Sequence, residues 1–472
     1  MRLPARIANP VLAVLIQHSG YNSLDEFAAA VNTLGHRTHG LRLNYDHVAV
    51  KRWLTGGTCQ QPHVVAQALS YAWNVPIPVG VIWPQLRKGS PPPPPHATPC
   101  VAARTLDELA AYIGSDMLTR RALLNDATGV AVGVALTGPL LRWLDAPTIG
   151  LPARAEPTTS SLTMATVAGI EAATAHFGAQ DAQIGGGLSR EAAVGQLKHA
   201  VDLLRDASYT DAVGNRMLAA VAELAGMVGW MSHDVGMDGP AQRYFTLGLH
   251  AARESTDPRA LLLQVNLLAD MARQMRALHQ PDTGLRLVDA ALALLSRGRH
   301  PAAAAMLWNL KARMLAPLGA TAVPEIRHAT ALAVDLLAQA DDDAAALAFI
   351  DPAELAGNAA LAWQDAAAHT PALARHAEEQ ALHALAYRPG GYSRSTVFDQ
   401  ISLTAARFTL AEADQAAADG HSALNLAEEV TTSVRVLERL RTLLKHSAPY
   451  AGSPDVRDFR DRLNQTVAVL TT

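Results

Sequence analysis

The chain has 472 residues, a formal net charge of −4, 49% apolar residues and only 5% aromatic ones. That length exceeds what one core usually fills, so two or more domains are expected, and the Ala- and Leu-rich composition favours helix on helix over a large sheet. Two cysteines, Cys59 and Cys100, are too few for a disulfide framework and lack metal-ligand spacing, which points to a reducing, cytoplasmic setting.

From the N-terminus, Asn9 to Gly20 lacks the charged start and cleavage site of a secretory signal, so no export is expected. Helix one is predicted over 9–18. Ser23-Leu24-Asp25-Glu26 forms a capping box for helix two, whose apolar stripe is Leu24, Phe27, Ala28 and Val31. A long polar loop with His36, Arg37, His39 and Arg42 is expected next. Helix three then runs from Asp46 to Leu54 and stops at Thr55-Gly56-Gly57, because glycine turns a helix end through positive φ most easily. Pro62 opens helix four, with Val65, Leu69 and Ala72 on its core side.

Helical phase assigns roles on helix three. Val50, Trp53 and Leu54 share one side and should pack on helices two and four. His47, Ala49, Lys51 and Arg52 lie away from that side or at its edge. A recognition helix places its early residues in the major groove. His47 and Lys51 suit donation to base edges, and Val48 or Ala49 suits a thymine methyl. Arg37, Arg42, Arg52 and the start of helix four suit phosphates. Up to Lys88 there are eight basic residues against three acidic ones, so the basic part would have a polyanion partner that the acidic remainder lacks. The blander reading makes Lys51 and Arg52 a solvated helix face.

Residues 89–103 form a Pro-rich linker between this 1–88 domain and the rest, since the prolines at 91–95 favour an extended polyproline rod. Residues 104–188 are expected to be a helical connecting or dimerisation segment. Thr105-Leu106-Asp107-Glu108 resembles a capping box. The run from Leu118 to Leu144 resembles a membrane segment behind Arg120-Arg121. Asn125, Asp126, Gly138 and Pro139 argue instead for a buried helix or subunit contact. A further helix is expected around 163–178, and Gly185-Gly186-Gly187 is a break.

Residues 189–472 alternate helix and short break. Helices are predicted over 190–207, 211–232, 239–254, 258–278, 282–297, 301–317, 322–340, 352–368, 371–386, 394–412, 415–430, 432–446 and 454–469. Gly229, Ala241, Phe245 and Gly248 have the small-small-aromatic-small spacing that lets two antiparallel helices touch, and small residues recur near Ala272, Ala312, Ala362 and Thr404. Five or six such pairs should stack into an α-solenoid. Its concave face would carry Glu223, Trp230, His233, Asn266, Arg273, Asn309, Arg313 and Trp363. Asn amides suit a peptide backbone and Arg forks suit a carboxylate, although these residues could equally just solvate the inner face. No catalytic constellation, metal set or cofactor loop stands out: His36 and His39 lack ligand partners, and the glycines at 185–187 lack a following Lys.

Phe27-Ala28, Val50 with Lys51-Arg52-Trp53-Leu54, the Gly56-Gly57 stop and Pro62 together resemble the Xre-type (Cro/repressor-like) helix-turn-helix family. The order of segments resembles a set of long actinobacterial regulators that join such a domain to a tetratricopeptide-like domain. Gly229-Trp230-Met231-Ser232-His233-Asp234, Ala241-Gln242-Arg243-Tyr244-Phe245 and Tyr392-Ser393-Arg394-Ser395 also look like that set. The resemblance implies an all-α chain: a five-helix DNA-binding domain plus an α-solenoid. It further implies operator DNA bound as a homodimer, a role in regulating development or secondary metabolism, and a peptide, small-molecule or protein signal on the repeats. Val48 and Ala49 stand where similar proteins often have Ser or Thr. A repeat scaffold with a vestigial helix-turn-helix domain is the rival reading.

Overall fold

The computed structural model describes residues 4, 7–17, 19, 21–39, 41–56, 59–73, 77, 79–83, 102–118, 130–144, 161–184, 189–296, 300–340, 350–388, 393–428 and 434–469. The proline run, Arg120-Arg121 and the triple glycine lie outside them. The fold is all-α: the described residues form helices and no strand, with one isolated bridge between Ser161 and Ser208.

Five short helices make the N-terminal body: α1 (Pro10–Gln17), α2 (Leu24–His39), α3 (His47–Leu54), α4 (Pro62–Trp73) and α5 (Val79–Ile82). Their core is Leu12, Ile16, Phe27, Val31, Val50, Trp53, Leu54, Val65 and Leu69. Ser23 caps α2 by accepting the Glu26 N–H at 3.1 Å, and Glu26 reaches back to the Asn22 N–H at 2.7 Å, so the box closes one residue early. The loop expected at His36 and Arg37 is instead the last turn of α2. Gly35 explains the extension: a Cβ there would collide with Leu43, so its absence lets the following chain fold back over the helix. The Leu41 N–H then closes on the Gly35 carbonyl at 2.9 Å.

Next come α6 (Ala102–Leu118), α7 (Val134–Leu144), α8 (Met164–Ile184) and α9 (Arg190–Asp206). The capping-box reading at Thr105 is corrected: α6 begins a turn earlier, and Thr105 is buried inside it. Leu106, Leu109 and Ile113 of α6 join Leu136, Leu140 and Leu144 of α7 in the main core, so these apolar residues face protein. No helix among the described residues is long and apolar enough to cross a membrane.

Six antiparallel pairs follow: α10 (Asp211–Asp234) with α11 (Asp238–Glu254), α12 (Ala260–Ala277) with α13 (Pro281–Leu295), α14 (Pro301–Leu315) with α15 (Val323–Leu337), α16 (Pro352–Ala367) with α17 (Ala374–Tyr387), α18 (Ser393–Thr409) with α19 (Ala413–Ala427), and α20 (Val434–Ser447) with α21 (Pro454–Val469). Proline opens α13, α14, α16 and α21, where its missing N–H costs no helical hydrogen bond. Gly229 is a point of close approach: a Cβ would stand 2.6 Å from the Phe245 ring and 3.2 Å from the Ala241 carbonyl. The first helix of each pair packs on the first helix of the next, from α10 through α20, so these helices form one continuous inner wall.

That wall turns back on itself. Arg394 of α18 pairs with Asp181 of α8 at 2.8 Å and with Asp234 of α10 at 3.3 Å. Arg435 of α20 meets the same Asp234 at 3.4 Å. The last pairs therefore touch the first, and the N-terminal body docks near this junction by laying α2 on α11.

Candidate functional site

Helix α3 is built as a presented rod. Asp46 caps it, accepting the Ala49 N–H at 2.9 Å. Its far end is held by the chain entering the domain: the Ala8 and Asn9 N–H groups both donate to the Leu54 carbonyl, at 2.8 and 3.0 Å. Beneath it Trp53 is 1% exposed and meets Tyr45 edge-on at 4.8 Å between ring centres. Tyr45 is fixed by the Asn32 amide, which donates to its carbonyl at 2.8 Å and accepts from its N–H at 2.9 Å. Gly56, just past the helix, has φ +97°, a conformation that favours glycine.

The outward face carries His47, Val48, Lys51 and Arg52, at i, i+1, i+4 and i+5 of one turn-and-a-half. Val48 is 57% exposed, and Lys51 and Arg52 are open to solvent. Asp25 of α2 accepts from the His47 N–H at 3.1 Å and contacts its Nδ1 at 2.8 Å. Those His47 hydrogen bonds hold the Asp25 carboxyl below its usual range. Arg42 is exposed on the connection before α3. Two residues do not join this face. Ala49 turns toward the core at 7% exposure, because it shares the inner phase with Val50 and Trp53, and so is not placed to touch a base. Arg37 points the other way, into the junction with the repeats. It donates to the Ala277 carbonyl at 3.3 Å and stands 3.6 Å from Asp238 of α11 and 3.7 Å from Glu438 of α20.

The expected inner-face set divides similarly. Trp230 lies under the Arg435 guanidinium, 4.8 Å from its ring centre. Asn266 and Arg273 are half-buried on α12, with Arg273 donating to Asp270 at 2.8 Å. Glu223 is half-buried near Arg259 at 3.8 Å, and burial raises its carboxyl pKa. Asn309 donates to the Leu355 carbonyl at 2.7 Å and thereby ties α14 to the start of α16, leaving its own Oδ1 buried without a partner. Arg313 donates to Asn358 Oδ1 at 2.9 Å.

His233 and Trp363 are structural. His233 is buried against Asp238 at 2.6 Å and pins the turn between α10 and α11. Trp363 is 5% exposed and packs between His376 of α17 and Arg327 of α15, away from the inner wall.

Sequence reasoning missed Arg276, Arg394, Arg435 and Arg439. Each is on a first helix of a pair, but their meeting depends on the wall closing on itself, and no local pattern announces that. Among the described residues no group of three or more His, Cys, Asp or Glu side chains is arranged to hold a metal. Burial pushes the Cys59 thiol up to about 11, which leaves it unreactive near neutrality.

None of the curated proteins or solved structures compared with the chain matches it. Residues 12–82, which run from α1 through α5, match a family model described as the SP15 N-terminal domain.

Proposed function

We propose that the protein is a DNA-binding transcriptional regulator that acts as a homodimer, with α3 as the recognition helix and the solenoid as a ligand- or partner-responsive body. The carrying observation is the division of α3 into a buried side (Val50, Trp53, Leu54) and an open side that presents Val48, Lys51 and Arg52 together. Such a helix can enter a major groove while the body behind it stays folded. Arg52 supplies charge to phosphates, His47 and Lys51 reach base edges, and the exposed Val48 suits a thymine methyl. Arg42 adds charge beside the helix.

A mobility-shift titration over several salt concentrations tests this. Lys51→Ala with Arg52→Ala should weaken binding and flatten the log–log salt dependence by about 1, for the phosphate that Arg52 no longer neutralises. Unchanged affinity and slope would remove α3 from the interface. The rival reading, a repeat scaffold with a vestigial N-terminal domain, draws support from the buried Ala49, which narrows the surface for reading bases. It would gain if the chain captured a protein partner and protected no DNA site.

A further inference from the structure

Guanidinium groups stay charged in proteins, so one that is buried needs an anion nearby. Most arginines on the inner wall have one. Arg276 of α12 pairs with Asp365 of α16, Arg394 with Asp181 and Asp234, and Arg435 with Asp234. Two do not. Among the described residues, neither Arg313 of α14 nor Arg439 of α20 has a carboxylate within ion-pair distance, and the neutral Asn358 amide oxygen is the partner Arg313 has. The Asp365 carboxylate favours the Arg313 charge but is already engaged by Arg276.

The orphaned atoms converge on the same stretch of wall. Arg313 Nε, Arg276 Nε and Asn309 Oδ1 are all buried with no hydrogen-bond partner, on the neighbouring helices α12 and α14. Burial, followed by repulsion from Arg439 and Arg276, pushes the Arg313 guanidinium down to about 9. Even so it remains protonated near neutrality. Among the described residues, no side chain neutralises the surplus charge at this point. Water can satisfy N–H groups, but it does not neutralise two guanidinium ions that repel each other.

We infer that Arg313, Arg439 and the free edge of Arg276 form a binding site for a compact anion carrying at least two negative charges, such as a phosphate-bearing or polycarboxylate small molecule. This deepens the reading of the inner wall as a ligand surface. The planar forks of arginine match paired anionic oxygens, and the unfilled Arg313 and Arg276 N–H groups supply donors without breaking an existing bond. Asn309 Oδ1 adds one acceptor, which suits a ligand that also carries a hydroxyl or a protonated oxygen.

The test uses the full chain without DNA. Inorganic pyrophosphate and citrate are titrated calorimetrically and by thermal melting, against sodium chloride at matched ionic strength. Binding of pyrophosphate, citrate or both is expected, each accompanied by a rise in melting temperature. The choice between them separates phosphate from carboxylate chemistry. Arg313→Gln and Arg439→Gln should each weaken binding at least about tenfold. Arg286→Gln, an exposed arginine on α13, should leave it unchanged. Should the Arg313 variant fail to fold by circular dichroism, the half-exposed Arg439 variant decides alone. The inference is overturned if neither anion stabilises the protein beyond the salt control, or if the folded variants bind as tightly as the parent. A mobility shift on the same preparation keeps the DNA reading separate, since either result can stand without the other.

Discussion

Arg37 clasps the N-terminal body to the repeats, and its removal should loosen that body measurably. The side chain is 18% exposed and spans two ends of the solenoid, with Asp238 in the first pair and Glu438 in the last. Its hydrogen bond to the Ala277 carbonyl contributes about 1 kcal/mol net. Both carboxylates stand beyond hydrogen-bond length; Glu438 is 41% exposed, so its pair adds at most about 1 kcal/mol and is partly screened by salt, whereas the pair with the buried Asp238 is screened less. His233 keeps its contact with Asp238 Oδ1 at 2.6 Å, whereas the buried Oδ2, which has no hydrogen-bond partner, loses the facing guanidinium. Arg37→Ala should therefore shift docking by about 1–3 kcal/mol, roughly a 5- to 150-fold change in the docked fraction, without unfolding either body. Hydrogen exchange along α2 and α11 reads this directly: amides at the junction should exchange faster, while those around Trp53 keep their protection. His36→Ala, one residue away and exposed, is the control. If Arg37→Ala leaves junction exchange unchanged at both low and high salt, the clasp contributes nothing and apolar packing alone holds the domain.

Other outcomes follow from the same geometry. Gly229→Ala should destabilise the chain: placing a Cβ 2.6 Å from Phe245 costs about 1–3 kcal/mol, only partly offset by better helix propensity. Gly169→Ala, in an open stretch of α8, should instead stabilise it by up to about 1 kcal/mol; urea unfolding of the two variants checks both signs. Asp46→Ala removes the cap of α3 and should cost about 1 kcal/mol locally, weakening DNA binding while leaving the salt slope intact, as read by mobility shift. His279 has its pKa held below the ordinary 6.5 by burial and then by the neighbouring charges of Arg276 and Arg37, outweighing Glu438 and Asp365. A depressed folded-state value means the stabilising effect is present above pH 6.5 and is lost as pH falls through the lower value. Junction protection should therefore decline on acidification below 6.5, and His279→Gln should flatten that decline in exchange measurements.

Repeat helices are legible because their ends are written locally. Pro281, Pro301, Pro352 and Pro454 open helices where expected, and the predicted bounds of α10 to α21 differ from the observed ones by a few residues. Gly229 against Phe245 is readable for the same reason, since a small residue facing an aromatic ring one helix away is a local spacing. The end of α2 is not, because its helical continuation depends on Leu43 folding over Gly35, a tertiary event. By its charge Arg37 resembles a phosphate ligand, and only the chain's return past α20 supplies Glu438. The register set by Gly229 singles out His233 and Trp363 on the first helices of their pairs. Which side of a helix faces the inner wall depends on a few degrees of phase, and Asp238 and His376 claim them on other sides.

The clasp and the arginine cluster share one mechanical element. Glu438, which holds Arg37, and Arg439, which lacks a carboxylate, are consecutive on α20, and Arg435 three and four residues earlier ties that helix to Asp234 on α10. A ligand that draws Arg439 toward Arg313 would act on the helix carrying one of the two carboxylates around Arg37. Such a ligand changes the docked fraction only by the difference between its affinities for the docked and released forms. Pyrophosphate or citrate binding measured in the parent and in Arg37→Ala gives that difference. Equal affinities would make the anion site independent of the clasp. Unequal ones would make α20 the element through which the repeats adjust how α3 is held.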